Sequence, residues 1–113
     1  MKPAVYNISP SRNADYYLGE PLRFKDSTGA AINLTGWTVL AQVWDLAGST
    51  KLADFEVTYV DRANGIVLPK LAYTVTATLP NECLYDVMLI NPSGKRTYYL
   101  EGTCTPDKGV TVP

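Results

Sequence analysis

A chain of 113 residues fits one domain, because two would leave each half too small to bury an adequate core. Ten Lys and Arg against eleven Asp and Glu give a formal charge of −1, which argues against a nucleic-acid partner, since phosphate binding needs an excess of basic side chains. Histidine is missing altogether, and with it go the usual neutral-pH general base, the Ser-His and Cys-His pairings and the commonest zinc ligand.

In chain order, residues 1–14 read as an extended arm ahead of a single domain over 15–113. Pro3 and Pro10 bracket Val5-Tyr6-Asn7-Ile8, and the polar Ser11-Arg12-Asn13 follow. Tyr6 and Ile8 are the arm's apolar anchors, either as a first edge strand on this domain or on a neighbouring subunit. Met1-Lys2-Pro3 lacks the apolar core of a secretory signal and no long apolar run occurs, so the expectation is synthesis in the cytoplasm without export and no membrane contact.

From Asp15 onward, short apolar stretches recur with turn chemistry between them, the pattern of a sandwich or barrel. The expected strands begin with Tyr16 to Leu18, Leu22 to Lys25 and a short piece through Ile32 after the turn Asp26-Ser27-Thr28-Gly29. Thr38 to Trp44 is the strongest strand. Val39, Ala41 and Val43 alternate with Thr38, Leu40, Gln42 and Trp44, so both faces carry apolar side chains and the strand is expected centrally with cover on each side. Asp45 to Lys51 reads as a polar loop, Phe55 to Val60 as a strand, and Ile66-Val67-Leu68 as a strand ended by Pro69. Leu71 to Leu79 fits both a helical face and a β-branched strand.

Leu84 to Ile90 and Thr97 to Thr103 form a hairpin across Asn91-Pro92-Ser93-Gly94, with Pro92 presetting φ and Gly94 taking the left-handed conformation. A two-residue loop would put Cys83 directly opposite Cys104, but turn chemistry prefers a three-residue loop, which pairs Asn91 with Lys95, and hence Val87 with Tyr99 and Cys83 with Thr103. That register puts Cys83 and Cys104 on opposite faces, keeps Asp86 away from Glu101, and predicts two free thiols that pack in the core.

Few side chains suggest chemistry. Asp26, Asp45, Asp54, Asp61 and Asp107 sit beside turn-forming residues and read as turn carboxylates. Asp61 to Gly65 lacks the oxygen ligands and closing Glu of a calcium loop. Ser93-Gly94-Lys95-Arg96 lacks the spacing and the following helix of a phosphate loop, so Lys95 and Arg96 are hairpin-tip charges. Asp86 lies mid-strand, but catalysis would need a second positioned acid that the pattern does not reveal. Trp37, Trp44, Tyr85, Tyr98 and Tyr99 fall on or beside strands, where sheet packing accounts for them, although aromatic faces also stack on sugars. No catalytic, metal-ligating or cofactor-binding set emerges, and no cofactor is expected.

Phe24-x-Asp26 with Gly29, then Ile32-Asn33-Leu34-Thr35-Gly36-Trp37-Thr38 leading into Ala41-Gln42-Val43, precede Asn64-Gly65-Ile66-Val67-Leu68, Leu79-Pro80, Tyr85-Asp86-Val87, Ser93-Gly94 and Gly102. This order resembles the small β-sandwich domains of tailed-bacteriophage virion proteins, including the N-terminal domain of baseplate upper proteins and domains attached to tail fibres. The similarity runs from about Asp15 to Val112, and Leu34-Thr35-Gly36-Trp37 is its more specific part. It implies a helical turn within 71–79, a place in the virion, and no catalytic residues to carry over. Family members continue into a shaft or receptor-binding region whereas this sequence stops at Pro113, which favours an adaptor, plug or decoration subunit.

The resulting expectation is an all-β, immunoglobulin-like antiparallel sandwich with an extended arm. It is expected to act as a non-enzymatic structural protein of tail, baseplate or fibre, touching other virion proteins and copies of itself as a homo-oligomer. A capsid decoration protein and a carbohydrate-binding module are the alternatives. Tyr6, Ile8, Lys95 and Arg96 are the candidate partner-binding residues.

Overall fold

The computed structural model describes residues 3–19 and 21–108. Along them run β1 (Ala4–Val5), β2 (Tyr16–Tyr17), β3 (Leu22–Arg23), β4 (Thr38–Asp45), β5 (Lys51–Asp54), β6 (Glu56–Asp61), β7 (Ile66–Leu71), β8 (Cys83–Ile90) and β9 (Arg96–Cys104). A 3-10 turn (Arg62–Asn64) and a single α-helical turn, α1 (Tyr73–Thr76), interrupt them. The strands form two sheets. One has the order β1-β9-β8-β4-β5; in the other β7 is flanked by β6 on one edge and by β2 and β3 on the other.

Period-two patterning builds the core. Val39, Ala41 and Val43 of β4, Cys83, Tyr85, Val87 and Leu89 of β8, and Leu100 and Cys104 of β9 all point inward and are buried. Phe24, Phe55, Val67 and Leu71 join them in one cluster, giving an all-β sandwich. Strand β4 is central, paired to β8 and β5, but the cover expected on its second face is absent among the described residues. Leu40 is 41% exposed there.

The arm lies on its own domain. Strand β1 runs parallel to β9, Ile8 bridges Cys104 and Ser11 bridges Asp107. The Tyr6 and Ile8 amides donate to the Glu101 and Thr103 carbonyls, each at 2.9 Å. The Tyr85 hydroxyl donates to the Tyr6 carbonyl from the core side. Gly102 permits this approach, because a Cβ there would collide with the Tyr6 carbonyl oxygen.

The hairpin keeps its expected turn: the Asn91 amide donates to the Lys95 carbonyl at 3.0 Å, and Gly94 has φ 91°. Beyond the turn the register departs from expectation. Met88 pairs with Tyr98 but Val87 pairs with Leu100, so Tyr99 is the extra residue of a bulge. The slip lets Tyr99 pack edge-on against Phe24, with ring centroids 4.7 Å apart, while Leu100 also turns inward. Cys83 therefore faces Cys104 on the inner side instead of the opposite face. Asp86 likewise faces Glu101. Both thiols are free and buried, and the Cys83 thiol donates to the Cys104 carbonyl at 3.2 Å.

Two further elements differ from the sequence pattern, and a third takes the helical turn that the resemblance implied. Residues 51–54 form edge strand β5, so Asp54 is a strand residue, with its carboxylate 3.0 Å from the Lys51 ammonium. Strand β7 continues through Pro69. The carbonyl of Pro69 accepts from the Leu18 amide, so its missing N–H faces the side where the ladder breaks between β2 and β3, and no bond to β6 is lost. Within 71–79, Leu71 closes the strand and α1 follows, its buried Thr76 hydroxyl donating to the Ala14 carbonyl.

Candidate functional site

The outer face of the five-stranded sheet brings apolar and acidic side chains side by side. Directly opposed residues of neighbouring strands share a face, so the register defines cross-strand rows. One row is Leu40, Met88 and Tyr98. The next is Asp54, Gln42, Asp86 and Glu101, and a third is Lys51, Trp44, Leu84 and Thr103. Apolar rows thus flank a polar one, with about 6.8 Å between rows from two residues of strand rise. The β4, β8 and β9 members of these rows, together with Val5 and Asn7 of the arm, line a groove of about 530 Å³, with Lys51 and Asp54 of β5 outside it.

Local contacts fix parts of this surface. The Trp44 indole N–H donates to Gln42 Oε1 at 3.0 Å, which sets the ring's orientation. Asp54 is matched by Lys51. The carboxylates of Asp86 and Glu101 make no hydrogen bond or ion pair among the described residues, and no Lys or Arg lines the groove. Desolvation first, and the Glu101 charge second, push the Asp86 carboxyl above its ordinary value.

Glu101 is the second acid that Asp86 lacked in the sequence pattern, and the Tyr99 bulge brings it there. The pair is poorly arranged for glycoside cleavage, because both carboxylates rise from one sheet face and cannot flank a bond from opposite sides. What it can do is attract a cation or accept hydrogen bonds from hydroxyls and amides. Among the described residues no group of three or more Cys, Asp or Glu is placed to hold a metal ion, and no helix is long and apolar enough to cross a membrane.

The four candidate residues do not converge. Tyr6 is 54% exposed beside Glu101, whereas Ile8 is buried in the core beside Cys104. Lys95 and Arg96 are exposed at the other end of β9. Arg96 pairs with Ile90, one row beyond Tyr98 on the outer face, about 17 Å along the strand from Glu101. The turn carboxylates act locally. Asp26 accepts from the Thr28 hydroxyl and the Thr28 and Ala30 amides, Asp45 accepts from Ser49, and both are held below the ordinary carboxylate range by those bonds. Asp61 caps the 3-10 turn by accepting from the Asn64 amide and side chain.

No protein-family model matches the chain, and no curated protein sequence matches it.

Proposed function

We propose that the protein is a non-enzymatic structural component of a tailed-bacteriophage virion, an adaptor or assembly subunit of tail, baseplate or fibre. It works through contacts with other virion proteins and with copies of itself, on an immunoglobulin-like sandwich. The observation that carries a binding role is the uncovered outer face of the five-stranded sheet, where Leu40 is 41% and Tyr98 50% exposed around a groove. An apolar sheet face left to water is an interaction surface in a protein that must assemble. The virion assignment is supported by the resemblance in residue order from Phe24 to Gly102. Quantitative mass spectrometry of purified particles tests it: a fixed copy number per particle is expected, and absence from particles refutes it. Cryo-electron microscopy then separates a tail position from the capsid surface, where the same sandwich would be a decoration protein.

A carbohydrate-binding module is the second reading. It is favoured by Trp44 and Tyr98 at opposite corners of a groove that also offers Gln42, Asp86 and Glu101 as hydrogen-bonding groups. Saturable binding to a glycan array, with loss in Trp44→Ala, would select it.

A further inference from the structure

We infer that the outer face of the five-stranded sheet is the docking site for an extended segment of a different protein, one whose inward-facing side chains run apolar, cationic, apolar at alternate positions. The inference rests on the assembly role proposed above and names the chemistry of the partner. Three observations lead to it.

The first is periodicity. Over the three groove rows the outward side chains of β4 are Leu40, Gln42 and Trp44 and those of β8 are Met88, Asp86 and Leu84, with Thr38 and Ile90 paired one row beyond them. Each strand reads apolar, polar, apolar in two-residue steps of about 6.8 Å, which is also the spacing of same-side residues in any extended segment laid along it. Such a segment places an apolar side chain on the Leu40-Met88 row, the next inward one on the Asp86-Glu101 row and the third on the Trp44-Leu84 row.

The second is charge. Asp86 and Glu101 stand directly opposite each other, and the cations nearest in the register are unsuited to relieve them: Lys51 is paired with Asp54, and Arg96 lies beyond the apolar row. Like charges at directly opposed positions are unfavourable. An arginine or lysine from outside can contact both carboxylates within a groove whose walls reduce screening. A glutamate or aspartate at the same place would add a third negative charge, so the surface discriminates between partners as well as attracting one.

The third excludes a second copy as the occupant. None of the ten Lys and Arg in this chain has a Val, Ile, Leu, Met, Phe, Tyr or Trp two residues away on both sides. Two come nearest: Lys70, between Leu68 and Ala72, lies inside β7 and is already paired on both edges, and Lys108, between Pro106 and Val110, has a proline in place of one of the two apolar anchors.

The test is an NMR titration of the full chain with the end-blocked peptide Thr-Val-Thr-Arg-Thr-Val-Thr and with its neutral citrulline counterpart. The expected result is progressive shifts at the Trp44 indole N–H and at the Leu40, Asp86 and Tyr98 amides. Affinity should be about fivefold lower for the citrulline peptide and should fall with added salt. Glu101→Gln, with its folding checked by retained spectral dispersion, is expected to weaken the arginine peptide to the level of its citrulline counterpart. If Glu101→Gln does not fold, the citrulline and salt comparisons in the native chain decide alone. No shifts at these positions up to about 5 mM peptide would overturn the inference, given that a millimolar dissociation constant is the weak limit of such contacts. Equal binding of both peptides, or shifts from a neutral cello- or malto-oligosaccharide with none from peptide, would overturn it as well. Peptide binding by a protein missing from particles would refute the virion role and leave the docking site standing. Presence in particles without peptide binding would do the reverse.

Discussion

Ile8 and Tyr6 are two residues apart on one arm, and the structure gives them opposite energetic roles. Ile8 is 3% exposed within the core cluster, while Tyr6 is 54% exposed. Truncating a buried isoleucine to alanine costs about 2–5 kcal/mol, and the lower half of that range applies where a chain end can relax into the space. Ile8→Ala is therefore expected to cost about 2–3 kcal/mol, whereas Tyr6→Ala leaves its carbonyl to accept from Tyr85 and should cost less than about 1 kcal/mol. For a domain of this size each kcal/mol shifts the melting temperature by about 4 °C, so the two variants should differ by about 4 °C or more. Calorimetry at several protein concentrations measures both quantities at once. Equal effects of the two truncations would refute the docked arm. A melting temperature that rises with concentration in the native chain but not in Ile8→Ala would do so too, since a strand supplied by a neighbour makes stability depend on mass action through that strand.

Gly102→Ala should release the same arm without touching any core side chain, because the new Cβ meets the Tyr6 carbonyl; hydrogen exchange at the Ile8 and Thr105 amides should accelerate, and unchanged protection would count against the close approach. Asp86→Asn should stabilise the protein at neutral pH. The folded-state pKa of Asp86 is raised, so the native state holds its proton more tightly and stability falls as pH rises from the unfolded value near 3.8 through the folded one. The advantage of the Asn variant should shrink to nothing below about pH 3, and a benefit that grows on acidification would contradict the sign. Thiol titration without reductant should find no reactive sulfhydryl in the native protein and two per chain in denaturant. Both cysteines are fully buried, so a thiol reagent reaches neither in the native state. Fewer than two after denaturation would show a disulfide.

Much of the sandwich was legible because alternation is a local signal. Thr38 to Trp44 and Leu84 to Ile90 carry period-two patterns long enough to fix strand and facing, and the turn at Asn91 to Gly94 announced its own geometry. Register further from the turn was not legible. The bulge at Tyr99 exists because Tyr99 and Leu100 both find space inside, Tyr99 against Phe24 from a distant part of the chain, and no turn rule contains that information. The same slip moved Cys104 opposite Cys83 and Glu101 opposite Asp86, so the acidic half of the candidate site was hidden by one residue of register. Edge strand β5 was invisible for a related reason: Lys51-Leu52-Ala53-Asp54 has weak strand propensity and pairs only because Gln42 and Val43 of β4 offer an unpaired edge.

The most useful signal was the one whose first explanation failed. A strand apolar on both faces normally marks a position buried between two layers, and β4 has that pattern without the second layer. Leu40 and Trp44 are therefore not accounted for by the fold's own stability, since the inward residues Val39, Ala41 and Val43 already supply the core contacts. Side chains of that size on an open sheet also carry a cost, because an exposed apolar face invites nonspecific association. A carboxylate row between two apolar rows offsets that cost: it repels an identical face at the same height while leaving the surface open to a partner that brings a positive charge. Neutralising that row should therefore do two things at once. Asp86→Asn combined with Glu101→Gln is expected to raise stability at neutral pH and to make the chain self-associate through its outer face, measurable by sedimentation velocity. A double variant that stays monomeric at concentrations where Leu40→Asp in the same background makes no difference would remove the argument that the acidic row guards this face.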